Sequence, residues 1–349
     1  MEVVLADDFT GAAEIAGIAW RGHRSVALCL ELPDELSCDV TVIDTDTRLA
    51  KPEEAREQVT WIAAAIHDRG ITRVYKKIDS VLRGPVVAEI EGVLQGLKRE
   101  QALLISANPS RGRIIAEGIY RIDEVLLVDT VFAHDPFHPA LDSRVRERIG
   151  ATERIATPDV RTRQEIAAEL ATLTEEVLPV GAGEFYEVWS GVTGERVART
   201  PDGKQLWMGG SQAIRPERNR LFRETGIPVI EGCQSRDIDD CVGRILEAYT
   251  GADRVALEVP EDLKIDAASV LDRMARIGEA VLSQLPIPVV CLEGGATARS
   301  LIDRVGEGPF RVTGEWAPGV VGLKSEVGGD PVEWIVKPGS YPWPPSLFD

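Results

Sequence analysis

Glu2-Val3-Val4-Leu5-Ala6-Asp7-Asp8-Phe9-Thr10-Gly11-Ala12 is the stretch on which the fold turns. Its first five residues form a short, mostly apolar run, as expected of a buried parallel strand. Two carboxylates follow, and residues 10–20 then continue as a helix of small residues closed near Gly22. The same alternation recurs downstream. Residues 25–30, 39–43, 73–77 and 102–105 read as strands, and the helical patterns at 52–70 and 85–97 lie between them. Pro52 marks one helix start and Gly70 its end. Alternating strands and helices predict a parallel sheet, with loops 7–11, 77–84 and 106–113 at its carboxyl edge, where ligands bind in such folds.

The middle of the chain has a weaker pattern. Residues 120–129 alternate like a strand pair, 132–139 form a Pro- and His-containing loop, and 151–176 read as another strand and helix. A second series then begins, with strands expected at 205–208, 227–230, 254–259 and 288–292. Helices are expected at 212–225, 237–249 and about 266–285, and a closing edge strand with a glycine turn at 334–339. The turn-formers and charges of 194–204 suggest a boundary near 200. The expected class is α/β, with two domains (1–200 and 201–349), each a mainly parallel sheet flanked by helices. A chain of 349 residues agrees with two cores rather than one.

Composition narrows the function. A net charge of -18 leaves no basic stripe to neutralise nucleic-acid phosphates. No apolar run approaches the ~18 residues needed to cross a bilayer, and no targeting pattern precedes the first strand, so a cytoplasmic location is expected. Five cysteines without a CxxC spacing, and four scattered histidines, do not suggest a zinc site. An anionic small molecule stays allowed, because a few cations gathered in one cleft set the local potential.

Cations and carboxylates do gather at the expected edge. Asp7 and Asp8 adjoin at the end of the first strand and would repel unless a cation, metal or substrate hydroxyl answers them. One of the pair as a helix cap is the plainer alternative, and Thr10 is a second capping candidate. Residues 77–83 bring Lys77, Asp79, Ser80 and Arg83 to one strand end. Arginine forks a carboxylate while Asp and Ser fix hydroxyls, the mixture that a carboxylate-bearing polyol requires. An Asp79–Arg83 ion pair holding a surface turn accounts for those two residues alone. Asn108-Pro109-Ser110-Arg111-Gly112-Arg113 adds two arginines, and Asp44-Thr45-Asp46-Thr47-Arg48 adds polarity at the substrate edge. The latter lacks the pattern of a dehalogenase-type phosphatase at Arg48. The loop at 132–139 reads as an interdomain or dimer element.

In the second half, Met208-Gly209-Gly210-Ser211 and Glu293-Gly294-Gly295-Ala296-Thr297 each lie between a strand and a helix. Bare glycines before helix N-termini present backbone N–H groups to phosphate oxygens, and Ser211 and Thr297 add hydroxyls or caps. Neither a Walker A sequence nor a GxGxxG is present.

Taken in order, ADDFTGA, KKIDSVLRG, NPSRGR, TVFAHDP, LPVGAGEFY, GGSQ, EGGATA and VKPG resemble the four-carbon acid sugar kinase family over nearly the whole chain. The resemblance implies an N-terminal sugar-acid domain, a C-terminal nucleotide domain and Mg²⁺-ATP as donor, with threonate, erythronate or a 2-oxo relative as acceptor. It assigns substrate contacts to Asp8, Lys77, Asp79, Ser80, Arg83 and Arg113, and ATP contacts to Ser211, Gly294, Gly295, Ala296, Thr297 and Gly339. Lys77 and Arg83 are expected to anchor the carboxylate, with Asp8 or Asp79 as general base. No residue is assigned to the metal. A homodimer is compatible with this reading. A nicotinamide-dependent sugar-acid oxidoreductase and a non-catalytic sugar-acid sensor are the rival readings. The chain is shorter than typical members, and its tail runs Ser340-Tyr341-Pro342-Trp343-Pro344 where relatives carry an Asn-Phe-Gly-like turn.

Overall fold

The computed structural model describes all residues except 136, 195, 197, 212–213, 233–237, 260–265 and 349, together with the side chain of 307. The chain forms two compact units, Met1–Gly194 and Glu195–Asp349.

In the first unit β1 is Glu2–Ala6, α1 Phe9–Arg21, β2 Val26–Cys29, β3 Val40–Asp44, α2 Pro52–Asp68 and β4 Val74–Lys77. There follow α3 (Val86–Leu97), β5 (Gln101–Ile105), β6 (Arg113–Ala116), β7 (Ile119–Ile122) and β8 (Val125–Leu126). The unit ends with α4 (Val145–Ile149), β9 (Ile155–Ala156), α5 (Arg163–Leu170), β10 (Val177–Gly181) and α6 (Gly183–Ser190). The strand order is β2-β3-β1-β4-β10-β5-β9, with every pair parallel. β1 and β4 are central, so their apolar residues are buried on both faces and their carboxyl ends lie side by side, with Ala6 opposite Lys77. α1 packs tightly because its small residues allow it, and all but Arg21 of its thirteen are buried. α2 and α3 approach so closely that a Cβ at Gly96 would lie 2.6 Å from Ala63 Cβ.

A small antiparallel sheet, β6-β7-β8, interrupts the parallel series. The strand pair expected at 120–129 is present as β7 and β8, antiparallel across a turn at left-handed Asp123 and Glu124. It ends earlier than expected, since 127–129 is a 3-10 turn, and β6 pairs with the other edge of β7. β10 and α6 lacked a strong periodic signal, yet β10 lies in mid-sheet between β4 and β5.

In the second unit β11 is Gln205–Gly209, α7 Arg215–Glu224, β12 Val229–Glu231, α8 Ile238–Ala248, β13 Arg254–Glu258 and α9 Ala267–Gln284. β14 (Val289–Glu293), α10 (Gly295–Val305), β15 (Glu307–Ala317), β16 (Val320–Val327) and β17 (Asp330–Lys337) complete it. The order is β12-β13-β11-β14-β17-β16-β15, parallel through β17 and antiparallel beyond. The expected class is borne out: each unit is a mainly parallel sheet flanked by helices. Residues 334–339 do not end in an edge strand, because β17 lies between β14 and β16. The antiparallel pair that covers it has Gly turns at 319 and 328–329, and these were not read as hairpins. The expected helix starts at 212 and 237 fall outside the described residues. The tail is core: Trp343 meets Trp207 edge-on at 4.9 Å within a cluster that includes Phe222, Ile335 and Leu347.

Candidate functional site

Asp8 is the N-cap of α1, not Thr10: its Oδ1 accepts from the Gly11 amide at 2.8 Å and its Oδ2 from Thr10 Oγ1 at 2.8 Å. Thr10 already lies in the first turn. Gly11 is required beside this cap, since a Cβ there would sit 2.6 Å from Asp8 Oδ1 and 3.2 Å from Lys77 Nζ. Asp7, 1% exposed, is forked by Arg48, whose Nε and Nη2 donate at 2.8 and 2.9 Å. Arg48 Nη1 reaches Asp8 Oδ2 at 2.6 Å and lies 3.9 Å from Asp79 Oδ1. Arg48 thus joins the end of β1 to the turn after β4. Burial pushes the Asp7 carboxyl up, but Arg48 and then Lys76 and Lys77 hold it below its ordinary value.

The Arg48 loop is braced from behind. Thr47 donates to buried Glu89 and bonds Thr45 Oγ1 at 2.7 Å, and Lys76 pairs with Glu89 at 3.3 Å. Burial, with Asp7 nearby, raises the Glu89 carboxyl above its ordinary value despite Lys76. The sequence identified Arg48 only as edge polarity. The signal that marks it is an arginine at a third strand end facing two adjacent aspartates.

The turn after β4 supplies the other groups. Lys77 Nζ lies 3.3 Å from Glu14 of α1 and donates to Ile78 O at 3.0 Å. Burial lowers its ammonium affinity for protons, but Glu14 and Asp7 more than offset this and hold it above its usual value. Asp79 accepts from Arg83 Nε and Nη2 at 2.9 and 2.8 Å and from the Val81 and Arg83 amides at 3.2 Å. Burial is outweighed there by Arg83 and Arg48, which hold the carboxyl far below the usual carboxylate range. The ion pair foreseen as the plain alternative is present, in a partly buried cluster and not on an open surface. Arg83 Nη1 also meets Asp135 at 3.1 Å.

Arg113 differs from these cations. Its Nη1 donates to Ser80 Oγ and its guanidinium lies 5.7 Å from the Phe132 ring, and among the described residues it pairs with no carboxylate. The 109–111 turn and left-handed Gly112 aim it, and a Cβ on Gly112 would collide with Asp123. The loop at 132–139, expected as an interdomain or dimer element, lies against this cluster. Phe132 sits under Arg83 and Arg113, Asp135 pairs with Arg83, and His138 Nε2 is 3.0 Å from Arg48 O. Asp8, Lys77, Asp79, Ser80, Arg83 and Arg113 therefore form one cluster, linked through Arg48.

The second unit brings its glycine turns together. Gly294, with φ +94°, is the N-cap of α10 and makes no side-chain cap bond, and α7 begins after Ile214. Thr297 thus lies inside the first turn of α10 and is not its N-cap residue. The amides of Gly295, Ala296 and Thr297 lie in a first turn that has no intrahelical acceptors for them. A Cβ at Gly210 would lie 1.9 Å from Thr297 Oγ1, and one at Gly339 3.1 Å from Ser211 Cβ. Three turns distant in sequence meet there.

Residues 2–184 match the family model for a sugar-binding N-terminal domain. A D-threonate kinase of Salmonella typhimurium is 30% identical over 184 residues, covering 52% of this chain and 44% of that protein. A D-erythronate kinase of Heliobacterium modesticaldum is 34% identical over 158 residues, 44% of this chain and 36% of that protein. This chain therefore spans less than half the length of either relative. A D-threonate kinase of Cupriavidus necator is 27% identical and aligns over 91% of this chain and 89% of its own. A solved Haemophilus influenzae structure shares the fold with TM-score 0.71 at 20% identity, covering 99% of this chain and 98% of its own. One from Salmonella typhimurium has TM-score 0.76 at 17% identity, covering 99% and 97%.

Proposed function

The chain belongs to the four-carbon acid sugar kinase family through its sugar-binding N-terminal domain, and on this premise we propose that it phosphorylates a hydroxyl of a small sugar acid with ATP. Met1–Gly194 is the acceptor unit and Glu195–Asp349 the donor unit. The observation that carries this reading is the acceptor cluster itself. Its carboxylates are charged and paired, and Arg113 alone of its four cations (Arg48, Lys77, Arg83 and Arg113) is without a carboxylate partner among the described residues. A substrate carboxylate completes that imbalance.

The anchoring role moves accordingly from Lys77 and Arg83 to Arg113. Lys77 and Arg83 instead shape the cluster by neutralising Glu14, Asp79 and Asp135. Asp79 is saturated with donors and is a poor proton acceptor. Asp8, at the α1 N-terminus, takes the proton of the attacked hydroxyl. That oxygen forms the new bond to the γ-phosphorus while the bond to the β-γ bridging oxygen breaks, and ADP leaves.

On the donor side, the amides of 295–297 and the hydroxyls of Ser211 and Thr297 suit phosphate oxygens, with Gly339 keeping the cradle clear. Bound Mg²⁺ supplies charge neutralisation on those oxygens. Among the described residues no group of three acidic, His or Cys side chains is placed to hold a metal ion. No described helix is long and apolar enough to cross a membrane.

A coupled ADP-release screen over four-carbon aldonates and their oxo forms tests the proposal. ADP release dependent on one of these acids is the expected result. ATP binding without turnover on any acid would refute it. Arg113→Gln should raise KM for the acid by about 10²-fold while leaving KM for ATP near wild type.

A further inference from the structure

We propose that Lys337, Glu293 and Arg218 form a positioning network that holds the three glycine turns of the donor unit in register for the nucleotide. The inference rests on reading Glu195–Asp349 as the donor unit and concerns residues to which the motif resemblance assigns no role.

Lys337 closes β17 and is 0% exposed. Its ammonium donates to Tyr341 O at 2.6 Å and Pro338 O at 3.3 Å, and lies 2.9 Å from Glu293 Oε2, so its three N–H groups are committed. The Trp343 ring lies 5.0 Å away, and Trp343 Nε1 donates to the same Glu293 oxygen at 3.1 Å. Glu293 Oε1 accepts from Arg218 Nη1. Arg218 also donates from Nε to Glu258 Oε1 at 2.6 Å and from Nη1 to Ser211 O at 2.9 Å. Glu293 and Glu258 thus answer Lys337 and Arg218, and Arg215 Nε adds a third buried cation 3.9 Å from Glu258 Oε2.

Each member touches a different turn. Arg218 holds the turn after β11 through Ser211 O, and a Cβ at Gly209 would lie 2.7 Å from Arg218 Nε. Glu293 immediately precedes Gly294, whose amide donates to Lys337 O at 2.9 Å. Lys337 holds Pro338 and the tail, leaving Gly339 against Ser211. The network lies at the carboxyl ends of β13, β14 and β17, the edge where a parallel sheet binds ligands. A core built only for stability gains little from such groups, because burying four charges costs desolvation that apolar residues avoid.

The ammonium of Lys337 is also poised to titrate. Burial pulls it down to about 8, against the pull of Glu293 in the opposite direction, and Arg218 lowers it further. Glu293 from β14 and Arg218 from α7 are the charged groups facing it, with Glu258 of β13 behind Arg218. Loss of the proton removes the charge that answers Glu293 and leaves two N–H groups for three acceptors, so the hold on Glu293 and the tail carbonyls weakens.

The test is calorimetric titration of the full chain with Mg²⁺-ATP and, separately, with D-threonate and D-erythronate, from pH 7 to 9.5. Wild type is compared with Lys337→Met, Lys337→Arg and Trp343→Phe. Lys337→Met should weaken ATP by about 10- to 100-fold with acid affinity within twofold of wild type. Wild-type ATP affinity should fall with a midpoint at or above about 8. That fall should vanish in Lys337→Met and in Lys337→Arg, and the arginine should recover affinity at pH 7. Should Lys337→Met not fold, Trp343→Phe keeps an aromatic ring, removes one bond to Glu293 and should cost roughly 3- to 10-fold in ATP affinity alone. A folded Lys337→Met that binds ATP within twofold of wild type overturns the network, as does an equal loss for both ligands. Wild-type protein that binds no ATP overturns the donor-unit reading and the network with it.

Discussion

Replacing Arg48 with methionine removes the cation that Asp7, Asp8 and Asp79 share, and the structure sets the size of the effect. Two bonds to Asp7 and one to Asp8 are lost, at 2.8, 2.9 and 2.6 Å. Asp8 keeps the Gly11 amide and the Thr10 hydroxyl, so the main cost falls on Asp7, 1% exposed and left with the longer-range attraction of Lys76 and Lys77. Breaking a buried pair by removing one partner costs about 3–5 kcal/mol. That is a large fraction of the ~5–15 kcal/mol that holds a domain folded.

The sign with pH follows from Asp7. In wild type its folded pKa is depressed, so its stabilisation is present above the unfolded value near 3.8 and is lost as pH falls through the folded one. Without Arg48, burial dominates and its folded pKa should rise above the unfolded value. The variant is then penalised most at neutral pH, and the penalty shrinks as acid protonates Asp7. The assay is hydrogen exchange of the full chain at pH 7 and pH 5, read on β1, whose amides lie in mid-sheet. Protection there should drop by about 10²- to nearly 10⁴-fold at pH 7 and by less at pH 5. Adding Asp7→Asn should recover about 1–3 kcal/mol, because the two changes share one interaction. A loss below about 1 kcal/mol that is the same at both pH values would refute the reasoning.

Asp8→Asn keeps an N-cap oxygen for Gly11 but not a base, so turnover should fall by about 10²-fold or more with the melting temperature little changed; near-normal turnover would remove Asp8 from that role. Gly210→Ala would place a methyl 1.9 Å from Thr297 Oγ1, so ATP binding by calorimetry should weaken by at least about tenfold while sugar-acid affinity holds. Asp7 and Asp79 both have depressed carboxyls, so acid titration followed by circular dichroism should show the first unit losing stability only below about pH 4, as each takes up a proton. Asp79→Asn should lower stability at pH 7 and flatten that acid limb. An unchanged limb would show that Asp79 contributes nothing to it.

Local sequence signals accounted for much of the scaffold. A central parallel strand announces itself because both faces are buried, which makes β1 a near-continuous apolar run, whereas β4 buries Lys76 and Lys77 beside Val74 and Tyr75. Polar strand ends then locate the ligand edge, and the family resemblance assigned Asp8, Lys77, Asp79, Ser80, Arg83 and Arg113 to the substrate as one set. Elements whose stability comes from partners were harder to see. β10 lies between β4 and β5 without a strong pattern of its own, and β17 became an interior strand because a distant hairpin covers it. Capping also depended on geometry, since Asp8 rather than Thr10 has the extended backbone that an N-cap requires.

Which residues are charged at the candidate site, and in what order along the chain, the sequence alone determined. Who neutralises whom was decided only by tertiary structure. Pairing of charges depends on distances of a few ångströms between residues dozens apart, and on burial, and neither is encoded in local spacing. Arg48 thus became the centre of the aspartate cluster, while Lys77 and Arg83 proved already paired and Arg113 did not. The two adjacent carboxylates after β1 divide for the same reason: Asp7 is forked by Arg48, and Asp8 caps α1 while sharing that arginine.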